Sequence, residues 1–124
     1  MAAYAAGLVA VIDDDTGVTE SFRFLLEVAG FSVASYRSAA EFLASSGPAA
    51  DCLIIDHHMP QMTGLELIAR LNGTISRRKV MLITGSNTPD IRERAAALGI
   101  AKVAEKPLAD RELLDFVSAC ADHG

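Results

Sequence analysis

Leu8-Val9-Ala10-Val11-Ile12-Asp13-Asp14-Asp15 is an unbroken apolar run that ends in three acids. A continuous run, unlike an alternating one, reads as a strand buried on both faces, and such strands belong to sheets covered by helices on each side. The residues after it agree. Val18, Phe22, Leu25, Leu26 and Ala29 fall at i, i+4, i+7, i+8 and i+11, one apolar stripe of a helix, and Gly30 closes it as the glycine beyond the C-cap. Phe31–Tyr36 is a weaker second strand. Ser38-Ala39-Ala40-Glu41 has the pattern of a capping box and opens a short helix through about Ser45.

The same alternation continues to the end of the chain. Cys52–Ile55 is a third strand that again ends in an acid, Asp56. A loop with Pro60 and Gly64 leads to a helix carrying Leu65, Leu67, Ile68 and Leu71 that stops near Gly73. Lys79–Thr84 is the fourth strand. Thr88-Pro89 is an N-cap followed by proline at the first helical position, and that helix runs to Gly99. Ile100–Glu105 is the fifth strand, followed by Lys106-Pro107. Asp110 is expected to cap a last helix with Leu113, Leu114, Val117, Cys120 and Ala121 inward. Strand and helix alternate five times, which predicts an α/β fold with a parallel sheet and right-handed crossovers. The doubly wound, flavodoxin-like strand order 2-1-3-4-5 is assigned by fold class, not from the residues. One domain over 1–124 is expected, ordered from about 8 to 122, with no output domain within it.

Composition narrows the function. The chain has 124 residues, 51% of them hydrophobic and 22% charged, which suits one core and excludes wholesale disorder. A formal net charge of −5 argues against direct nucleic-acid binding, which needs clustered Lys and Arg. No apolar stretch reaches the roughly 18 residues a membrane helix needs, and the N-terminus has no basic signal region. Cys52 and Cys120 lie in apolar runs without metal-type spacing and read as small buried hydrophobes. A cytoplasmic protein, with no membrane partner, is expected.

The unusual polar residues fall at the C-terminal ends of strands: Asp13 and Asp14, Asp56, Thr84 and Lys106. Open α/β sheets bind ligands at that edge, where the strand order reverses. Each residue alone has a plainer reading, since Asp14 or Asp15 could cap the first helix and a strand-end Thr is a common β-former. Together they place several carboxylates in one mouth. Carboxylates about 4 Å apart repel by roughly 4 kcal/mol at an effective dielectric of 20, so the cluster calls for a cation. A hard divalent ion with oxygen ligands fits best, and magnesium typically keeps one or two carboxylates, waters and a phosphate oxygen. An aspartate in such a setting can be a nucleophile that forms an acyl phosphate.

These residues resemble the receiver domains of two-component response regulators over essentially the whole chain. The resemblance is carried by Val11-Ile12-Asp13-Asp14-Asp15, by Asp56-His57-His58-Met59-Pro60-Gln61-Met62-Thr63-Gly64, by Ile83-Thr84-Gly85 and by Glu105-Lys106-Pro107. It implies Asp56 as phosphoacceptor, Thr84 as switch hydroxyl and Lys106 as phosphate-binding lysine. Asp13 and Asp14, with Asp56 and the His58 backbone carbonyl, would hold magnesium, or manganese in its place. Lys106-Pro107 would be a cis peptide. A histidine kinase or phosphotransfer protein would supply the phosphoryl group. An output domain or partner would read the fourth helix, fifth strand and fifth helix, and a phosphorylation-dependent homodimer is a further implied partner. The protein would not be an enzyme beyond its own phosphorylation and dephosphorylation.

Two positions depart from the family pattern. Val103 stands three residues before the lysine, where receivers usually carry Tyr or Phe. His57 and His58 follow the phosphoacceptor at variable positions; alternation along the strand points His57 away and puts His58 at the rim. Two other functions compete. A receiver-like docking module independent of phosphorylation is one. A haloacid-dehalogenase-like phosphatase using Asp13 is the other, and Gly17 stands where its Asp-x-Asp-x-Thr pattern needs Thr.

Overall fold

The computed structural model describes residues 7–45, 50–71, 79–100 and 102–122. Strands β1 (Leu8–Ile12), β2 (Ser32–Tyr36), β3 (Cys52–Asp56), β4 (Val80–Thr84) and β5 (Lys102–Glu105) alternate with helices α1 (Thr16–Val28), α2 (Ala39–Ala44), α3 (Gly64–Arg70), α4 (Pro89–Ala97) and α5 (Asp110–Asp122). The strands form one sheet in the order β2-β1-β3-β4-β5, every neighbouring pair parallel. This is the doubly wound, flavodoxin-like order that the fold class implied.

Side chains along a strand alternate between the two faces of the sheet, and two apolar cores result. Ala10, Ile12, Leu53, Ile55 and Leu82 face α2, α3 and α4 through Ala39, Leu65, Leu67, Ile68, Ile91 and Ala95. Val9, Val11, Cys52, Ile54, Met81 and Ile83 face α1 and α5 through Leu26, Leu113, Val117 and Cys120. Both faces of β1, β3 and β4 are covered, which is why these strands read as continuous apolar runs. Cys52 and Cys120 are free and buried, as expected of small hydrophobes. No helix among the described residues is long and apolar enough to cross a membrane.

Several boundaries differ from the sequence reading. Phe31 was expected to begin β2, but its N–H donates to the Leu26 carbonyl at 2.9 Å while Gly30 N–H donates to Glu27 at 3.0 Å. That is a Schellman closure of α1, with Gly30 at φ 101°. The same closure ends α4: Ile100 N–H donates to Ala95 at 3.1 Å and Gly99 N–H to Ala96 at 3.0 Å. Ile100 therefore belongs to the helix stop, not to β5. Lys79 was expected in the fourth strand, which starts at Val80.

The caps differ too. Asp110 does not cap α5 but is its first residue, and Leu113 N–H returns to the Ala109 carbonyl at 3.2 Å. An acid there still complements the helix dipole. In α2 the Ser38 hydroxyl accepts from Glu41 N–H at 3.0 Å, but the Glu41 carboxylate takes the N–H of Arg37 at 2.7 Å, one residue before the cap. A complete capping box, not anticipated, joins Thr63 and Glu66 at the start of α3. The stop expected at Gly73 and the inward side chain expected at Ala121 lie outside the described residues.

Candidate functional site

β1 and β3 lie side by side at the centre of the sheet, and the helices that follow them leave to opposite faces. A crevice opens between the departing chains, at the carboxyl ends of the strands. Asp13 follows β1 and Asp56 ends β3, and each is 2% exposed. Asp14 stands exposed beside them, and one ligand oxygen from each of the three acids lies within 4.8 Å of the others. Asp15 turns away to cap α1, its Oδ1 accepting from Gly17 N–H at 2.9 Å and Val18 N–H at 3.3 Å. Of the two candidate caps, it is Asp15 that serves, which leaves Asp14 to the cluster.

Lys106, just past β5, reaches across the mouth. Its Nζ lies 3.1 Å from Asp56 Oδ1 and 3.8 Å from Asp13 Oδ2. Those same two oxygens are enclosed and make no hydrogen bond. One ammonium thus stands against two buried carboxylates. Burial is the largest influence on Asp13 and pushes its pKa up from 3.8 to about 6; the Asp15 amide opposes this and the Asp56 charge adds to it. Burial works to lower the Lys106 pKa, but contact with Asp56 and the charges of Asp13 and Asp56 outweigh it and leave the ammonium above its ordinary value. The Lys106–Pro107 peptide is cis, as the resemblance implied.

The donor set suits a hard cation. Three carboxylates converge, and two of their oxygens are buried without hydrogen bonds, a cost a divalent ion would remove. The two adjacent histidines do not join it: the Asp cluster is the one group of three or more such ligands among the described residues.

Thr84 ends β4 next to Asp56 and is fully buried. Its Oγ1 lies 2.8 Å from His58 Nε2 and also meets the Ser86 N–H and carbonyl, both at 3.1 Å. The contact with His58 was not foreseen, because it depends on how the loop after β3 folds over the end of β4. His57 is buried. Its Nδ1 accepts from Leu65 N–H at a long 3.4 Å, meeting one of the free donors at the start of α3. Burial foremost, then the charges of His58 and Arg94, lower its pKa, in keeping with an unprotonated Nδ1. Val103 is half-buried against the core of α2, α3 and α4.

Comparison with known proteins gives a consistent answer. The FixJ transcriptional regulatory protein of Azorhizobium caulinodans is 39% identical over 112 residues, which are 90% of this chain and 53% of that protein. Full-length FixJ from B. japonicum superposes with a TM-score of 0.81 at 30% identity, over 94% of this chain and 58% of the other. A response regulator receiver protein from Burkholderia phymatum superposes at 0.78 with 33% identity, over 93% and 94% of the two chains. The chain thus spans about half the length of the FixJ relatives it matches. A family model described as the response regulator receiver domain matches residues 9–118, from the second residue of β1 into α5. With the sheet order and the acidic mouth at its switch point, that match makes the chain a member of the receiver domains of two-component response regulators.

Proposed function

We propose that this chain accepts a phosphoryl group from a histidine kinase or phosphotransfer protein onto Asp56 and passes the change to an output domain or partner. One observation carries the reading: Asp56 is a buried carboxylate facing the Lys106 ammonium at 3.1 Å, inside a cluster with Asp13 and Asp14. A carboxylate oxygen of Asp56 would attack the phosphorus of a phosphohistidine. The phosphorus–nitrogen bond breaks, and the departing imidazole nitrogen takes a proton from solvent. Magnesium, or manganese, held by Asp13, Asp14, Asp56 and the His58 backbone carbonyl would supply charge neutralisation between the two anions. Lys106 is placed to hold one phosphoryl oxygen and Thr84 to donate its hydroxyl to another.

The acyl phosphate carries up to about two negative charges where the Asp56 carboxylate carried one. Lys106 and Thr84 must therefore reorient toward Asp56, which moves the segment from Gly85 to Thr88 ahead of α4. The α4, β5 and α5 face would carry that change to the partner, including a second copy in a phosphorylation-dependent homodimer. The protein works in the cytoplasm in this reading, as a phosphoacceptor and not as an enzyme on other substrates.

The test is incubation with acetyl phosphate with and without magnesium, followed by site mapping. The expected result is a single acyl phosphate on Asp56 that requires the cation and is absent in Asp56→Asn. Labelling on Asp13 would favour the phosphatase alternative. No labelling on any aspartate, from acetyl phosphate or a kinase, would leave the docking role.

A further inference from the structure

Three polar groups surround the Thr84 hydroxyl, and they are unequal. Ser86 N–H can only donate, the Ser86 carbonyl can only accept, and His58 Nε2 can do either according to its tautomer. A hydroxyl has one proton to give and two lone pairs to fill. One arrangement satisfies every contact. Ser86 N–H donates to Oγ1, the Thr84 proton goes to the Ser86 carbonyl, and His58 donates from Nε2–H. The other tautomer would draw the Thr84 proton to His58 and leave the Ser86 carbonyl without it.

In the satisfied arrangement both lone pairs of Thr84 are filled and its proton points into its own loop. It has nothing left to offer toward Asp56. We propose that His58 is a positioning residue that latches the Thr84 hydroxyl in this resting arrangement and so limits how readily the phosphorylated state is reached. This rests on the reading of Thr84 as the hydroxyl that turns to the phosphoryl group. To do so Thr84 must give up the 2.8 Å contact with His58. One hydrogen bond lost from one state biases the equilibrium by about threefold to tenfold toward the other.

The adjacent histidines thereby divide two tasks. His57 is buried and tied to the start of α3. Its ring meets that of His58 edge-on, with centroids 5.1 Å apart and planes at 73°, and so backs the latch. His58 itself is exposed, so the latch can open without disturbing the core.

The test uses beryllofluoride with magnesium as a phosphoryl mimic, read by the amide resonance of Ser86. His58→Ala should bind it about threefold to tenfold more tightly, and its free-state Ser86 resonance should lie shifted toward the bound position. His58→Gln, whose amide can restore a donor, should return toward wild type. In a Thr84→Ala background, His58→Ala should change neither quantity. Wild-type affinity and an unmoved Ser86 resonance in His58→Ala would overturn the latch, as would an equal effect in the Thr84→Ala background. Failure of the wild type to bind the mimic would instead remove the acceptor reading, and the latch with it. A full loop response in Thr84→Ala would remove the switch role of Thr84, and again the latch.

Discussion

Replacing Asp13 with Asn should stabilise the metal-free protein at neutral pH. A tenfold change in proton affinity is worth about 1.4 kcal/mol. A folded pKa of about 6 against an ordinary 3.8 means that keeping Asp13 ionised costs the folded state about 3 kcal/mol at pH 7. The Asn side chain keeps an oxygen for the Asp15 N–H, which donates to Asp13 Oδ1 at 2.9 Å. The attraction of Lys106 Nζ, 3.8 Å away, is already contained in the raised pKa, and an amide fills a carboxylate's place imperfectly, so about 1–3 kcal/mol is expected. The sign with pH follows from the raised value. Between 3.8 and about 6 the folded state holds more protons at this site than the unfolded chain, so the wild type loses stability as pH rises through that window. Below it the penalty fades, to about 1 kcal/mol at pH 4.5. Urea unfolding of both proteins with a chelator, at pH 7.5 and pH 4.5, measures the difference directly. Added magnesium should narrow the gap at pH 7.5, because only the wild type keeps its full donor set. An Asn variant no more stable than wild type at pH 7.5, or an advantage unchanged at pH 4.5, would refute the account of Asp13 as a buried charge that Lys106 only partly compensates.

Gly64→Ala should destabilise strongly, by about 1–3 kcal/mol or more, because an added Cβ would stand 2.8 Å from the Asp56 carbonyl oxygen, 2.9 Å from His57 Cα and 2.7 Å from Leu82 Cδ1; a lowered urea midpoint with an unchanged slope is the check. Lys106→Ala should weaken the metal-free fold, since it leaves Asp13 and Asp56 buried without their cation. Thermal unfolding should show magnesium recovering most of that loss, while the spectral change on phosphorylation stays smaller than in wild type. Val103→Ala should alter self-association or partner affinity of the phosphorylated form by under about 1 kcal/mol, whereas Thr84→Ala should remove most of the phosphorylation dependence, both read by binding with and without acetyl phosphate.

What the sequence disclosed and what it hid divide along physical lines. The order of elements was legible because burial on both faces leaves continuous apolar runs and burial on one face of a helix leaves a stripe. Those signals are local. The ends of elements were less legible, because a backbone N–H has two possible takers. Phe31 and Ile100 are both apolar and look like first strand residues, yet their N–H groups go back to Leu26 and Ala95 to finish the preceding helices. Gly30 and Gly99 carried the signal: a glycine beyond a C-cap claims its successor's N–H as well.

The site shows the same limit at longer range. That acids sit at strand ends is visible in the sequence, and the sheet order brings β1 and β3 together. Which acid carries the electrostatic load was not visible. Asp13, Asp14 and Asp15 are chemically alike and consecutive, but the first is enclosed beside Asp56, the second stands in the open and the third is used up as a helix cap. Alternation separated His57 from His58, yet it could not name their partners, since Leu65 lies eight residues on from His57 and Thr84 twenty-six from His58. Thr84 shows why such partners matter. β3 and β4 are paired with Asp56 opposite Ile83, so the backbone of Thr84, one residue further, lies beside the acceptor whatever the loop does. Whether its hydroxyl is free to turn depends on the loop alone, through a histidine that the strand pattern marks only as facing the rim. Chemistry at this mouth is therefore set by strands, whereas the ease of switching is set by a loop contact that varies independently of them.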